Sequence, residues 1–267
     1  MAILIPRKKE FWQRKPVAPE LNPNVENSLL ASYQATSPSE FSDILLGGNV
    51  TALGTNQAFD ETGFGEAFFY GSFNKTETRG IVAPISSTSG SYTFQIIADW
   101  AGATRSEAEY YLDTQTGRMV IGHDLSDNLS IYDGAWNAFS YSPYGKGAQN
   151  LIIELDGANS EARLYINGES KGSVSYTPRN IGGTTKLLER YTPNTSANNC
   201  PNRIKFTSIN IWEEALTDGI ERSKIENAFQ ILKPRRKYWV LPTAAAPTGF
   251  QAAWAMAANN LIGAGFN

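Results

Sequence analysis

Carboxylates two residues apart are the first place to look for hydrolytic chemistry, because alternate residues of a strand share a face. Glu154 and Asp156 have that spacing. Glycosidic cleavage needs two carboxyl groups in one cleft, about 5–5.5 Å apart for a retaining mechanism. No third acid follows, and Gly157-Ala158-Asn159 turns the chain, so Asp156 reads as a hairpin-turn residue. Glu107, Glu109 and Asp113 also alternate, interrupted by Tyr110-Tyr111, and read as one solvated strand face. His123 beside Asp124 resembles a base with its orienting acid, but nothing in the sequence places a nucleophilic serine near them. His123 therefore reads as a hydrogen-bonded structural residue. It is the one histidine of the chain, which excludes metal sites and hydrolytic systems that need two. The expectation is a protein without catalytic residues.

Two binding chemistries remain. Asp124, Asp127 and Asn128 put three oxygen side chains in one loop, with Asp133 following, and such oxygens suit Ca²⁺. The EF-hand pattern is absent, and an Asx-rich turn is the preferred reading; Asp60-Glu61 is a rival loop. No metal or other cofactor is expected. Tyr132, Trp136, Tyr141 and Tyr144 cluster between Asp133 and Gly145-Lys146-Gly147. Aromatic faces stack on sugar rings, while Asp133, Asn137 and Lys146 offer partners for hydroxyls. The alternative is ordinary packing of aromatics between sheets.

Charge is unevenly laid out along the 267 residues. Residues 1–20 hold Arg7, Lys8, Lys9, Arg14 and Lys15 against Glu10 and Glu20, a net of +3. Residues 233–267 hold Lys233, Arg235, Arg236 and Lys237 and no acid, a net of +4. With −3 overall, residues 21–232 carry −10. Such asymmetry suggests an oriented partner, and the acidic body disfavours specific nucleic-acid binding. The N-terminal stretch adds Phe11 and Trp12 to its cations, among prolines that favour extended chain. From Tyr238 to Asn267 no residue is charged, and Trp239, Phe250, Trp254 and Phe266 are spaced along nine alanines. A tail of that kind needs a surface to cover it. No apolar run reaches the ~18–20 residues of a membrane span, and Met1–Arg14 lacks a signal-peptide core. Cys200 stands alone, so there is no disulfide framework.

Between the ends, short β-rich runs alternate with turn signals. Strands are predicted at Glu66–Phe73, Gly80–Ile85, Tyr92–Trp100, Ala108–Asp113, Arg118–His123, Leu129–Tyr132, Asn137–Tyr141, Asn150–Leu155, Ala162–Ile166 and Ile204–Trp212. Tyr92, Phe94 and Ile96 alternate with Thr93, Gln95 and Ile97, and a phase change at Thr207-Ser208 predicts a bulge. Asn167-Gly168 between apolar runs is a strong hairpin signal. An N-cap at Thr217, an apolar stripe and Pro234 predict one amphipathic helix over 218–231.

The hairpin Asn150–Gly157 followed by Ala162–Gly172, and the later run Arg203–Asp218 ending Ala-Leu-Thr-Asp, resemble concanavalin A-like lectin and laminin-G domains. The resemblance implies an all-β jelly-roll sandwich, often carbohydrate- or protein-binding. The chain then divides into a basic and aromatic arm at 1–27, the lectin-like domain with its short C-terminal helix at 28–232, and at 233–267 an uncharged tail after a basic Lys-Pro-Arg-Arg-Lys stretch. Lys233–Val240 and Ala253–Gly265 are similar to the tails of proteins from tailed bacteriophages and prophages. That second likeness implies a virion component, with capsid decoration as first expectation and a neck, tail or fibre adhesion module as the alternative. Arg7, Lys8, Lys9, Phe11, Trp12, Arg14, Lys15, Arg235, Arg236, Tyr238, Trp239, Phe250 and Trp254 would then be assembly contacts to the major capsid protein or to further copies of the chain. A host-surface glycan is a further expected partner; a membrane is not.

Overall fold

A computed structural model describes residues 28–37, 40–43, 57–62, 65–70, 80–83, 85–103, 108–182, 185–191 and 199–216. The two predicted arms, the predicted helix over 218–231 and Glu107 lie outside the described residues. In chain order the strands are β1 Leu29–Ser37, β2 Glu40–Asp43, β3 Gln57–Thr62, β4 Gly65–Tyr70, β5 Ile81–Ala83, β6 Tyr92–Asp99, β7 Glu109–Thr114 and β8 Val120–His123. They continue with β9 Leu129–Tyr132, β10 Trp136–Ala138, β11 Ala148–Asp156, β12 Glu161–Ile166, β13 Glu169–Ser175, β14 Thr185–Leu187 and β15 Lys205–Trp212. All pairings among them are antiparallel.

The strands form two sheets. The larger runs β13-β12-β11-β6-β15-β1-β2, with the β3–β4 hairpin joined to β15, and the smaller runs β10-β9-β8-β7-β14-β5. Their inner faces share one apolar core. Tyr92, Phe94, Ile96, Leu151, Ile153, Leu164, Phe206, Ile209 and Ile211 come from the large sheet, and Ile81, Leu112, Ile121, Leu129, Ile131 and Leu187 from the small one. The chain is therefore an all-β sandwich, as the alternation predicts. Complete burial of one such side chain is worth about 1.5–3 kcal/mol, so the two-layer core is the main stabilising element.

The outer face of the large sheet departs from simple alternation. Thr93, Gln95 and Ile97 are buried along with their inward neighbours. Gln95 donates to Asn150 Oδ1 at 2.9 Å and accepts from Asn210 Nδ2 at 3.0 Å, and Ser32 donates to Asn210 Oδ1 at 2.8 Å. This ladder of amides satisfies polar groups that burial would otherwise penalise.

Two bulges set the phase of the core. In β15 the register against β6 shifts between Phe206 and Ser208, so Phe206, Ile209 and Ile211 all face inward. In β7 the register against β8 shifts between Tyr110 and Leu112. Tyr111 and Leu112 then both enter the core, while Tyr110 and Asp113 lie outside it. The Asn167-Gly168 turn has φ of 51° and 88°, the left-handed geometry a two-residue hairpin requires. Beyond that turn, β13 ends the large sheet as a wholly polar or half-exposed edge strand. It carries a register shift opposite Leu164/Tyr165, Gly172 at φ 105° and the pair Lys171–Glu169 at 2.8 Å.

The bulge in β7 also dictates what stands opposite. A methyl group at Gly122 would lie far inside van der Waals contact with the Glu109 carbonyl oxygen, a backbone atom that cannot step aside. Gly122→Ala is expected to lower unfolding free energy by about 3 kcal/mol, at the upper end of overpacking costs. Gly102→Ala, where a methyl group meets nothing within 4 Å, should change it by under about 0.5 kcal/mol. Urea denaturation of the two variants checks this, and equal effects would refute the bulge argument.

Candidate functional site

The outer face of the small sheet gathers aromatic and charged side chains from five separate segments. Trp136, on edge strand β10, is 42% exposed. Its indole lies 5.4 Å from the Tyr132 ring on β9 and 6.1 Å from the Tyr110 ring on β7, tilted by 59° and 45°. Arg118, just before β8, places its guanidinium carbon 5.5 Å from the centroid of Tyr132 and 5.5 Å from that of Tyr191. Arg118 Nε and Nη2 donate to the two carboxylate oxygens of Asp113 at 3.3 and 3.4 Å. Asp113 also accepts the Tyr191 N–H at 3.2 Å. The Arg118 side chain is 33% exposed and that of Asp113 is fully buried. The result is an aromatic shelf with a guanidinium clamped between two rings at its side.

Burial pushes the Asp113 carboxyl up from its ordinary value, outweighing the hydrogen bond and charge of Arg118 that pull it down. Burial likewise raises Tyr110, with Arg118 opposing it. Both phenol and carboxyl sit on the outer face because of the β7 bulge.

The sequence cluster at 132–144 divides among three places. Tyr132 and Trp136 reach the outer face together. Asp133 is buried in a loop, where its carboxylate accepts the Thr177 N–H and the Asn137 side-chain amide, the latter at 3.2 Å. Asp133 and Asn137 thus hold the β9–β10 turn to the 176–179 segment. Tyr141 and Tyr144 stand at the end of the sandwich. Tyr141 donates to Gln149 at 2.5 Å and lies under Lys146 Nζ at 3.9 Å. Tyr144 donates to Glu109 and packs 4.7 Å from the His123 ring. Sequence proximity hides Tyr110, Arg118, Asp113 and Tyr191, which approach Tyr132 and Trp136 only across strands. The phase break at Tyr110-Tyr111 is the one local signal that points to them.

The acid–base residues resolve as follows. The reading of Glu109 and Asp113 as one solvated strand face is corrected: every residue of β7 is buried. Glu109 stands in register with His123, whereas Asp113 is on the outer face, because the bulge breaks the alternation between them. Glu109 accepts from the Asn202 N–H at 3.0 Å as well as from Tyr144. His123 Nδ1 is 2.6 Å from the Tyr111 hydroxyl, which accepts from Trp100 Nε1 at 3.0 Å. The hydroxyl proton then goes to His123 Nδ1, so the imidazole is assigned as the tautomer protonated at Nε2. This buried chain is structural. Asp156 is a turn residue, taking the Asn159 side-chain amide at 2.7 Å and its N–H at 3.0 Å. Those donors, the side-chain amide first, hold its carboxyl below the usual range.

The expectation that no Gly-x-Ser-x-Gly pattern occurs is corrected by Gly168-Glu169-Ser170-Lys171-Gly172, which matches it. The pattern makes a nucleophile only on a strand-to-helix turn. Here it joins β12 to edge strand β13, and Ser170 Oγ accepts the Gly172 N–H at 3.4 Å. In the 124–128 loop, Asp124 Oδ1 accepts the N–H groups of Ser126 at 2.7 Å and Asn128 at 3.2 Å, and Asp127 has φ 65°. That loop is an Asx turn directed at its own backbone. Among the described residues no group of three or more His, Cys, Asp and Glu is placed to hold a metal ion.

The raised Asp113 value has a thermodynamic consequence. An aspartate in an unfolded chain titrates near about 3.9. A carboxyl raised in the folded state binds more protons there, so its contribution is fully favourable below the unfolded value and is lost as pH rises through the folded one. The natural protein should therefore gain stability relative to Asp113→Asn as pH is lowered from neutral towards about 4. Urea titrations of both proteins across that window test the sign, and a flat or opposite trend refutes it.

No protein-family model matches the sequence, and no curated protein sequence matches it. Solved structures do share its architecture. Domain 4 of an extracellular arabinanase from Geobacillus stearothermophilus, solved in complex with arabinotriose, superposes with a TM-score of 0.53 at 19% identity, over 76% of this chain and 98% of that one. The binding domain of Paraclostridial Mosquitocidal Protein 1 gives 0.52 at 14% identity, over 77% and 52%. The botulinum neurotoxin serotype D/C VPI 5993 binding domain gives 0.54 at 15%, over 77% and 53%. The chain spans about half the length of these two toxin domains. At such identities the likeness is one of fold: this chain has the β-sandwich architecture of these binding domains.

Proposed function

We propose that the chain is a non-enzymatic glycan-binding module and that the outer face of the small sheet is its binding surface. The observation that carries this reading is Trp136, an exposed indole on a sheet edge backed by Tyr132 and Tyr110. A rigid, half-exposed aromatic shelf offers a flat apolar face to the C–H side of a sugar ring with little entropy to lose. Polar groups at its side, Arg118 foremost, then select among hydroxyl patterns. That a chain of the same fold has been solved with arabinotriose supports the ligand class. Glu109, Asp113, Glu154 and Asp156 make no paired carboxylate cleft on this surface, which favours binding over turnover.

The composition of the ends favours a setting for the module. A basic, Trp-containing start and an uncharged, Ala-rich end flank a body of charge −10. We read these as anchors that tie a displayed lectin-like domain into a phage particle, capsid decoration first and neck, tail or fibre second. Arms shared between copies of the chain suit a homo-oligomer.

Trp136→Ala should weaken binding to whichever oligosaccharide a glycan array identifies by about tenfold or more, equivalent to about 1.4 kcal/mol. Tyr141→Phe, remote from the shelf, should leave it within about twofold. An array without hits, or a Trp136→Ala protein that binds like its parent, overturns the glycan reading. Quantitative mass spectrometry of purified phage particles tests the setting. Hundreds of copies, on the order of the major capsid protein, mark decoration, and a few dozen mark neck, tail or fibre. Absence from the particle overturns the virion reading.

A further inference from the structure

The guanidinium beside the shelf suggests what kind of sugar it takes; this inference rests on the glycan reading. Arg118 uses its Nε–Nη2 edge on Asp113 and also hydrogen-bonds the Tyr110 side chain. Its guanidinium carbon lies 5.5 Å from the ring centroids of both Tyr132 and Tyr191. Asp113 fixes it from below, and that carboxylate has a donor of its own in the Tyr191 N–H. A third of the side chain still reaches the surface. An arginine held this way has already lost its rotamer freedom, and its planar fork matches a carboxylate. Tyr132 is shared: its ring touches both Trp136 and Arg118, so a sugar stacked on Trp136 lies one ring away from the guanidinium.

The local balance points the same way. Arg190 acts electrostatically on both Asp113 and Tyr110, and its buried Nε has no hydrogen-bond partner. Lys186, opposite Asp113 in register, is already paired with Glu189 at 2.8 Å. Residues 21–232 as a whole carry −10, so the body supplies no general attraction for anions. A preference for an acidic ligand has to come from these fixed groups.

We propose that Arg118 reads a carboxylate on the bound sugar, so that the face selects acidic oligosaccharides over neutral ones of the same shape. The source is either a uronate or a sialic-acid-type sugar, which share that chemistry. Titration calorimetry on the full chain separates them with two matched pairs: trigalacturonate against its methyl ester, and sialyllactose against lactose. The acid of at least one pair should bind about tenfold tighter than its neutral partner, as expected for one charge-assisted contact. Arg118→Gln should cut that preference to under about twofold. Because that change leaves Asp113 buried without its cation, the double variant Asp113→Asn/Arg118→Gln repeats the test with a neutral pair. The acid–neutral comparison in the unaltered protein does not depend on any variant folding. Equal affinity within both pairs overturns the inference and leaves the glycan reading standing. A preference that survives in Arg118→Gln also overturns it. Failure of all four sugars to bind overturns it as well, and the array result alone then decides whether the glycan reading survives.

Discussion

Strand β7 has to be buried on both faces while carrying two acids, and the rest of the small sheet follows from how it manages this. A strand covered on both sides ordinarily reads as a continuous apolar run. β7 instead reads Glu-Tyr-Tyr-Leu-Asp-Thr, all buried. The register shift at Tyr111 resolves the conflict by sending consecutive residues Tyr111 and Leu112 into the core. It separates Glu109 from Asp113, so that no single face must hold both charges. The opposite strand answers with Gly122, where a side chain would strike the kinked backbone.

Each half of that division does a different job. On the inner side, Trp100 Nε1, the Tyr111 hydroxyl and His123 Nδ1 form a continuous hydrogen-bonded row. Trp100 follows β6 of the large sheet, so the row ties the two layers together through polar atoms inside an apolar core. A buried network of this kind stabilises only when its members are matched in donor and acceptor roles. On the outer side, Tyr110 and Asp113 become the floor on which Trp136 and Arg118 rest. The candidate binding face and the inter-sheet row are thus two products of one backbone irregularity.

The sequence reading follows the fold most closely where local physics decides. Asn167-Gly168 can hardly be other than a hairpin turn, and Tyr92-Thr-Phe-Gln-Ile shows its pleat directly. The phase break at Thr207-Ser208 reads as the bulge it is. Strands that satisfy their requirements elsewhere escape notice: β13, Glu-Ser-Lys-Gly-Ser-Val-Ser, has no apolar face, and β14 is three residues long. Thr93 and Gln95 look solvent-facing by alternation yet are buried, because Asn150 and Asn210 meet Gln95 on that side and the backbone of Glu214 and Leu216 meets Thr93. For the site, contiguity misleads. Residues 132–144 belong to a strand, a turn and a sheet end, and the aromatic shelf takes only Tyr132 and Trp136 from them. Its other members arrive from positions 110, 118 and 191, a proximity created by strand order, with the phase break at Tyr110-Tyr111 as its one local trace.

The polar edge at β13 bears on how such a protein tolerates crowding. An edge strand exposes unpaired backbone groups, and a long, flat, apolar one would recruit the edge of a neighbour. Here Lys171, Gly172 at φ 105° and the shifted register deny a second chain a continuous ladder. At the matching end of the small sheet, β10 is only three residues long. At these two edges, copies held side by side would find no continuous ladder along which to zip into fibrils. In the array proposed above, a weak single-sugar contact would gain strength through simultaneous engagement.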